Sequence, residues 1–326
     1  MLEHGGNLRQ AALIYKTPVN AWLDLSTGIN PIGWPVPQPP ASSWHRLPEE
    51  SDGLEASAMD YYGCKNLLPV AGSQAAIQTL PYLRTPCRAG LITNSYAEHH
   101  HAWRSAGHQI VPLKRLDEIE QNLSQLDVLI LVRPNNPTGE CFPLERLLAW
   151  HSELAKRNGW LLVDEAFIDT TPEQSLIRQT LPGLIVLRSL GKFFGLAGAR
   201  LGFVSAHKPL LRQLNEKLGP WTISGPSRWI TASALNDRKW QEETRIKLQL
   251  QSKRLYTLLN HYGLSPNGGC ALFQWVVTPK AQQIHLQLAR QAILTRLFKQ
   301  PLSLRFGLPG EEPDWQRLAC ALECCQ

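Results

Sequence analysis

The stretch Ser189-Leu-Gly-Lys-Phe-Phe-Gly-Leu-Ala-Gly-Ala-Arg-Leu-Gly202 places one lysine in a glycine-rich loop. Apolar runs flank the loop, Leu184–Leu187 before it and Leu201–Val204 at its end, and both predict short strands. Small residues allow backbone and a bound molecule to approach closely. A lysine in such a loop is an unusual choice if it only solubilises a surface. The stretch therefore indicates a sheet with a chemically useful lysine, Lys192, near its edge.

Short apolar runs alternate with longer amphipathic runs before this loop. The predicted strands are Leu91–Thr93, Val128–Val132, Trp160–Val163, Leu184–Leu187 and Leu201–Val204. The predicted helices between them are Ser73–Leu83, Glu98–Gly107, Leu144–Asn158 and Pro172–Thr180. Continuous apolar strands separated by helices predict an α/β fold with a mostly parallel central sheet flanked by helices.

The C-terminal part of the chain has a different pattern, with long helical stretches and fewer strands. It predicts helices over Leu210–Leu218, Arg228–Tyr262 and Gln282–Leu297, strands over Leu272–Val277 and Leu302–Phe306, and a final helix. This pattern is typical of a smaller α+β domain. We therefore expect an N-terminal arm of residues 1–30, a large domain of residues 31–215 and a small C-terminal domain of residues 216–326.

The charge and composition limit the possible partners. Lys and Arg number 33 against 27 Asp and Glu, a net charge of +6, and they are scattered rather than clustered. This distribution favours a small anionic ligand over a nucleic acid. No apolar run approaches the roughly 18 residues of a membrane span. Met1–Arg9 lacks the apolar core of a signal peptide, so we expect a cytoplasmic protein with reduced thiols and no membrane partner.

The run His99-His100-His101 raises the question of a metal site. Consecutive histidines do not share one face of a helix, and no spaced set of partner ligands accompanies them. We therefore expect no metal and interpret the run as an ordinary polar segment.

Three further segments carry side chains suited to binding a ligand. Val70–Gln74 begins a helix after a short strand, and its backbone N–H groups suit a phosphate. Arg133–Gly139 and Asp164 each follow or end a strand, and α/β sheets bind ligands at the carboxyl ends of their strands. Asp164 precedes Lys192 by 192 − 164 = 28 residues, and Arg200 follows it by 200 − 192 = 8.

In this order and at this spacing, the four segments resemble the pyridoxal-phosphate enzymes of aminotransferase fold type I. The resemblance implies pyridoxal 5'-phosphate as cofactor and Lys192 as the catalytic residue that joins it through an imine. It implies that Asp164 faces the pyridine nitrogen and that Asn136 bonds the ring hydroxyl. Tyr96 matches the aromatic residue that stacks on the ring, although a half-buried core tyrosine would show the same pattern. The implied phosphate ligands are Gly72, Ser73, Gln74, Ser189 and Arg200.

The N-terminus narrows the resemblance. His4-Gly-Gly-Asn-Leu-Arg9 and Trp22–Pro31 look like the opening of the L-threonine-O-3-phosphate decarboxylase family of cobalamin biosynthesis. That resemblance implies decarboxylation of a small phosphorylated amino acid by a homodimer. The implied substrate-binding residues are His4, Gly6, Asn7, Asn30, Arg296 and Arg305. A flexible N-terminal arm is the alternative for the first of these, and which arginine binds carboxylate stays open.

The histidinol-phosphate aminotransferases are the main alternative, because they share this fold and a phosphorylated substrate. Two departures argue against them. Their usual Asp-Glu-Ala-Tyr reads Asp-Glu-Ala-Phe here, so Phe167 has no hydroxyl to donate to the cofactor. Their Arg-Tyr-Pro segment reads Arg46-Leu47-Pro48, which leaves the cofactor phosphate one hydroxyl short. A non-catalytic binding module of the same fold is a further alternative, and the presence of Lys192 argues against it.

Overall fold

A computed structural model describes residues 4–324 of the chain. Residues 1–3 of the predicted arm, and Cys325 of the cysteine-rich terminus, lie outside the described residues. The described chain forms two compact units. One comprises the residues up to Gly33, Pro137–Glu140 and the residues from Glu243 onward; the other comprises Trp34–Asn136 and Cys141–Glu242. The division into an arm, a large domain and a small domain stays a prediction.

The regular elements follow one another along the whole described chain. The strands are β1 Leu23–Asp24, β2 Leu68–Val70, β3 Arg88–Ile92, β4 Gln109–Leu113, β5 Val128–Val132, β6 Trp160–Asp164, β7 Leu184–Ser189, β8 Gly202–Ser205, β9 Gly268–Cys270, β10 Phe273–Val277, β11 Ile293–Leu294, β12 Arg296–Lys299 and β13 Leu302–Gly307. The helices are α1 Leu8–Tyr15, α2 Ser42–His45, α3 Leu54–Tyr62, α4 Ser73–Thr79, α5 Ala97–Ser105, α6 Leu116–Asn122, α7 Leu144–Ala155, α8 Lys208–Leu218, α9 Gly225–Asn236, α10 Arg238–His261, α11 Ala281–Arg290 and α12 Glu312–Glu323.

The unit of Trp34–Asn136 and Cys141–Glu242 is built on a seven-stranded sheet in the order β2-β8-β7-β6-β5-β3-β4. Strands β3 to β7 are parallel, whereas β8 runs antiparallel to both β7 and β2. Every residue of β5 is buried, as expected for a strand covered on both faces. The prediction of an α/β fold with a mostly parallel sheet is confirmed.

The other unit contains an antiparallel sheet in the order β12-β13-β10-β9 and a two-stranded parallel pair of β1 and β11. Helices α11 and α12 lie in the same unit. The mixture of antiparallel strands and helices confirms the predicted α+β character. Within residues 4–324, no helix combines the length and the apolar character needed to cross a membrane.

The predicted helix over Pro172–Thr180 is wrong. The segment contains one 3-10 turn, Pro172–Gln174, and then leaves helical geometry. The reason is the buried carboxylate of Glu165, which accepts hydrogen bonds from the backbone N–H of Leu176 at 2.9 Å and from the Ser175 hydroxyl. These partners replace the backbone carbonyls that a helix would have used.

Two other predicted helices are too long. The helix expected over Arg228–Tyr262 is broken at Asp237, whose carboxylate accepts from the N–H of Trp240 at 3.1 Å and so begins α10 anew. The helix expected over Gln282–Leu297 ends at Arg290, because Ala292 has a φ of 54° and its carbonyl accepts from the N–H of Leu23. The residues that follow form β11 and β12 instead.

Candidate cofactor and substrate sites

The strand order of the seven-stranded sheet locates a ligand site. From β3 the chain adds β4 on one side of the sheet, and it then adds β5, β6, β7 and β8 in turn on the other side, so the strand order reverses between β3 and β5. Ligands bind in the crevice at such a reversal, outside the carboxyl ends of the strands. The predicted cofactor residues collect at these ends: Tyr96 follows β3, Asn136 follows β5, Asp164 ends β6, Ser189 ends β7, and Lys192 lies three residues further on.

Gly72 and Arg200 form one side of this site. Gly72 precedes α4 with a φ of +71°, and a Cβ there would lie 2.8 Å from Arg200 Nη2. Only glycine therefore lets the guanidinium lie beside the start of α4 without strain. Gly202 fits as tightly, because a Cβ on it would lie 2.7 Å from the backbone nitrogen of Ser73. Ser189 is the register partner of Gly202, so all five residues are neighbours.

A second chain of contacts joins the start of α4 to the end of β6. The Tyr96 hydroxyl donates to Gln74 Oε1 at 3.3 Å, and Gln74 Nε2 donates to Glu98. The rings of Tyr96 and His99 meet edge to face at 6.2 Å. His99 Nε2 lies 2.9 Å from Asp164 Oδ2, and the N–H of Ala166 donates to Asp164 Oδ1. Both oxygens of the buried Asp164 carboxylate are thus held in place.

His99 is a functional residue that the sequence reasoning missed. Its exposed fraction is 1%, whereas His100 and His101 are exposed, so the interpretation of the run as an ordinary polar segment is wrong for His99. The signal was available: His99 follows Tyr96 by three residues at the start of a helix, a spacing that places two side chains on one face. Among the described residues no group of three or more His, Cys, Asp or Glu side chains could hold a metal ion.

Lys192 is fixed through its neighbours in the chain. Phe193 and Phe194 are fully buried and pack against Trp240, with ring centroids 5.5 and 5.6 Å away. This anchoring fixes the backbone from which the Lys192 side chain projects. Lys192 Nζ lies 5.4 Å from the ring centroid of Phe167. At that distance the face of the ring attracts the ammonium group electrostatically.

The loop that carries Asn136 is held to the loop after β3. Asn135 donates to the carbonyl of Asn94 at 2.8 Å and accepts from the Ser95 hydroxyl at 2.7 Å. The Arg133–Pro134 peptide bond is cis. Asn135 is buried and Asn136 half-buried. These contacts keep Asn136 beside Tyr96, the residue that follows Ser95.

The other unit carries the predicted substrate-binding residues. Arg305 on β13 is 5% exposed, and its Nη2 donates to the carbonyl of Ser26 at 2.6 Å. Arg296 on β12 is the direct register partner of Arg305. Opposed residues of an antiparallel ladder project from the same face of the sheet. The structure therefore places both arginines on one face of the sheet, with the Arg296 guanidinium 5.3 Å from the ring centroid of Phe298 and the Arg305 guanidinium 5.1 Å from that of Phe273.

The N-terminal residues of the same unit lie against Ser26. The N–H of Gly6 donates to Ser26 Oγ at 2.8 Å, and a Cβ on Gly5 would lie 2.3 Å from the Ser26 carbonyl oxygen. Because Arg305 binds that same carbonyl, the segment that carries His4 and Gly6 shares a partner with Arg305. Asn7 precedes α1 and donates to Gln10, while Asn30 is buried and accepts from the N–H of Ile32. Gly6 and Asn7 thus have hydrogen-bond partners within the same unit, while the choice between a substrate-contacting arm and a flexible arm stays a prediction.

The residues of the larger sheet fit pyridoxal 5'-phosphate. A guanidinium beside the start of a helix suits a phosphate dianion, and a buried, oriented carboxylate suits a protonated pyridine nitrogen. A Cβ on Gly72 would meet Arg200, so this phosphate side of the site depends on the absence of a side chain. The residues that depart from the family pattern are Phe167, which is buried, and Leu47, which is 64% exposed.

Comparison with known proteins agrees with this geometry. Residues 47–322 match the model of the family described as aminotransferase class I and II. The chain belongs to this family. The cofactor roles of Lys192, Asp164 and Arg200 stay what the resemblance implies.

Individual relatives narrow the comparison within the family. The chain is 55% identical to the threonine-phosphate decarboxylase of Pseudomonas aeruginosa, over 99% of this chain and 97% of that protein. It is 36% identical to a histidinol-phosphate aminotransferase of Legionella pneumophila, but over only 44% of this chain and 39% of that one. The predicted resemblance to the threonine-phosphate decarboxylases is thus confirmed along nearly the whole chain.

Solved structures confirm the fold. The histidinol-phosphate aminotransferase of Sinorhizobium meliloti, in complex with pyridoxal-5'-phosphate, superimposes with a TM-score of 0.85. The likeness covers 100% of this chain and 99% of that one at 18% sequence identity. The prediction of a type I fold is confirmed.

Proposed function

We propose that the protein decarboxylates L-threonine O-3-phosphate to (R)-1-aminopropan-2-yl phosphate and carbon dioxide, with pyridoxal 5'-phosphate as cofactor. The observation that carries this proposal is the 55% identity to a threonine-phosphate decarboxylase along 99% of the chain. The 36% identity to a histidinol-phosphate aminotransferase, in contrast, covers less than half of this chain.

The opposed arginines support the substrate class. A substrate with one carboxylate and one phosphate needs two cationic partners, and planar guanidinium groups bind both kinds of anion through paired hydrogen bonds. Arg296 and Arg305 supply that pair on one face of a sheet. We assign His4, Gly6, Asn7 and Asn30 to the same substrate as donors or close backbone neighbours.

When bound, pyridoxal phosphate would supply an electron sink for the bond that breaks at the substrate Cα. Lys192 would hold the cofactor through its amine, and its Nζ would carry the proton that replaces the carboxylate. Asp164, held by His99, would favour a protonated pyridine nitrogen, and Asn136 would donate to the ring hydroxyl. Gly72, Ser73, Gln74, Ser189 and Arg200 would hold the cofactor phosphate, and Tyr96 would contact the ring.

The substrate-binding arginines decide which bond breaks. Holding the substrate by its phosphate as well as by its carboxylate restricts rotation about Cα. This restriction would select the bond between Cα and the carboxylate for cleavage, so that carbon dioxide leaves in preference to a proton. Release of a proton from Cα without loss of carbon dioxide would contradict this step.

The wider setting is also part of the proposal. We place the reaction in cobalamin biosynthesis, in the cytoplasm, and we expect a homodimer. The whole-chain likeness to threonine-phosphate decarboxylases supports the first of these. Exposed apolar side chains, including Trp44 and Leu47, support the last, because such residues commonly mark a surface covered by a partner.

The first experiment supplies the cofactor-loaded protein with L-threonine O-3-phosphate and no keto acid. We expect release of carbon dioxide and of the phosphorylated amine in equal amounts, and loss of both in Lys192→Ala. If there is no release, but histidinol phosphate turns over once 2-oxoglutarate is added, the protein is an aminotransferase. Inactivity in both assays would contradict the assigned substrate site while leaving the fold intact.

A further inference from the structure

Two arginines and two carboxylates lie buried at or within five residues of the ends of β5, β6 and β7, where the proposed cofactor residues also lie. We call these four residues the support cluster: Arg133, Glu165, Asp169 and Arg188. Their exposed fractions lie between 0% and 2%. Charges this deeply buried occur only where each has close partners, because removal from water is costly.

Arg188 has the most contacts in the support cluster. Its Nη2 donates to Asp169 Oδ1, and its Nη1 donates to the Ser175 hydroxyl oxygen at 2.9 Å and lies 3.4 Å from Glu165 Oε2. The guanidinium also lies 4.6 Å from the ring centroid of Tyr62. The planar fork of one arginine thus holds both carboxylates at once.

Glu165 links Arg188 to the next strand. Its Oε1 lies 3.7 Å from Arg133 Nη1 and accepts from the N–H of Leu176 at 2.9 Å. Arg133 is held in turn, since its Nε donates to the carbonyl of Phe142 at 2.8 Å. The cluster therefore ties together the ends of three neighbouring parallel strands.

Two members of the cluster, Glu165 and Arg188, are adjacent in sequence to a proposed cofactor residue. Glu165 follows Asp164, Arg188 precedes Ser189, and successive residues of a strand project to opposite faces. A backbone hydrogen bond also joins the cluster to a proposed cofactor residue, because the N–H of Arg133 donates to the Asp164 carbonyl at 2.8 Å.

Asp169 connects the support cluster to the loop that carries Lys192. The Tyr61 hydroxyl donates to Asp169 Oδ1 at 2.9 Å, and the Tyr61 ring meets that of Phe194 at 5.6 Å. Phe194 follows Lys192 by two residues. Arg188 is thus connected to the Asp164, Ser189 and Lys192 positions through at most three contacts each.

We propose that Arg188 is a positioning residue that holds Asp164, Ser189 and the Lys192 loop in the geometry that the cofactor requires. This inference rests on the proposed function, since it presupposes a bound pyridoxal phosphate. Stability alone does not account for the cluster, because well-packed apolar side chains often stabilise a core as much as a buried ion pair does. The hydrogen bonds between the charged groups are directional, so they fix the orientation of the backbone at the end of each strand.

The test measures cofactor binding rather than turnover. Arg188→Lys keeps the charge but loses the fork that reaches Asp169 and Glu165 together. The double variant Arg188→Met/Asp169→Asn removes the charge while keeping the cluster balanced, so that it folds even if Arg188→Met does not. For each purified protein we would measure the dissociation constant of pyridoxal phosphate, the visible absorption band of the bound cofactor as a function of pH, and the melting temperature.

Arg228→Lys is the matched control. Arg228 is also buried, and it pairs with Asp52 at 2.7 Å and with Glu55 at 2.8 Å. Neither of these partners is a proposed cofactor residue. We expect both substitutions to lower the melting temperature. We expect the Arg188 variants alone to weaken cofactor binding about tenfold or more and to move the pH midpoint of the visible band.

The possible outcomes distinguish a wrong role for Arg188 from a wrong proposed function. If the Arg188 variants melt earlier but bind the cofactor within about twofold of the original protein, with an unmoved band, Arg188 only stabilises the fold and the inference is wrong. If the original protein itself binds no pyridoxal phosphate, the proposed function fails and the inference fails with it.

Discussion

Arg296 and Arg305 are direct partners in the register of β12 and β13, so two guanidinium groups share one face of an antiparallel sheet. Like charges placed directly opposite each other destabilise a sheet by up to about 1 kcal/mol. Arg305 is 5% exposed, which leaves little water to screen it. The Arg296 guanidinium lies over the ring of Phe298 and the Arg305 guanidinium over that of Phe273. An anion bound to both arginines would offset their repulsion, as the proposed substrate site requires.

Arg296→Gln tests this interpretation. We expect the variant to be more stable than the original protein without anions, and to gain less from added phosphothreonine. Its KM should rise about tenfold to a hundredfold, because a hydrogen bond to a charged group contributes about 1.5–3 kcal/mol. Thermal unfolding with and without phosphothreonine measures the first effect and steady-state kinetics the second. Lys299→Gln, at the other end of β12 and exposed, is the control, and an equal loss in that variant would contradict the prediction.

His99 and His100 form a matched pair for testing the Asp164 contact. His99→Phe removes the group 2.9 Å from Asp164 Oδ2 and leaves a buried carboxylate with fewer donors. We expect cofactor affinity to fall about tenfold, since orienting partners behind a ligand typically contribute 10-fold to 100-fold. His100→Phe changes an exposed neighbour and should leave the affinity unchanged. Fluorescence titration with pyridoxal phosphate measures both, and similar values for the two variants would show that His99 plays no part.

Gly72→Ala separates backbone strain from a direct clash. Gly72 combines a φ of 71° with a ψ of 157°, a conformation essentially restricted to glycine, so alanine there is strained by about 1–3 kcal/mol. Its Cβ would also lie 2.8 Å from Arg200 Nη2, whereas Gly263 has the same φ but open space around it. We therefore expect Gly72→Ala to lose at least as much stability as Gly263→Ala in thermal unfolding. Only Gly72→Ala should weaken binding of the cofactor phosphate, and unchanged affinity in that variant would contradict the assignment of Arg200.

The protonation of His285, close to the proposed substrate-binding residue Arg296, makes the stability of the protein depend on pH. Burial lowers its pKa, and the charge of Arg296 lowers it further. In the unfolded chain His285 binds a proton near its ordinary value of 6.5, so below that pH the unfolded state binds more protons than the folded state. Stability should therefore fall as the pH decreases below about 6.5.

His285→Gln should remove that contribution and flatten the acid side of the stability curve. Unfolding in urea at pH 5 and at pH 7.5 would measure it. Gln282→Ala on the same helix α11 is the control. A stability difference between the two pH values as large in His285→Gln as in the original protein would contradict the assignment.

The sequence alone indicated the α/β sheet and most of the proposed cofactor residues. Continuous apolar runs such as Val128–Val132 predict buried parallel strands, because only a strand covered on both faces can be apolar throughout. Ligands of a parallel sheet lie at the ends of its strands, so Asp164, Ser189 and Lys192 could be grouped from their places in the chain.

The tertiary structure decided what depends on contacts between distant residues. The sequence shows His99 in a run of three histidines, and only the packing of α5 against the sheet turns one of them toward Asp164. Pro172–Thr180 has helical composition, but the buried carboxylate of Glu165 accepts a hydrogen bond from the backbone N–H of Leu176, which a helix would have used internally. Likewise, Arg296 and Arg305 are nine residues apart in the chain, and the β12–β13 register makes them partners. Local periodicity determines which elements form, whereas hydrogen bonds and charges between elements determine which side chains meet.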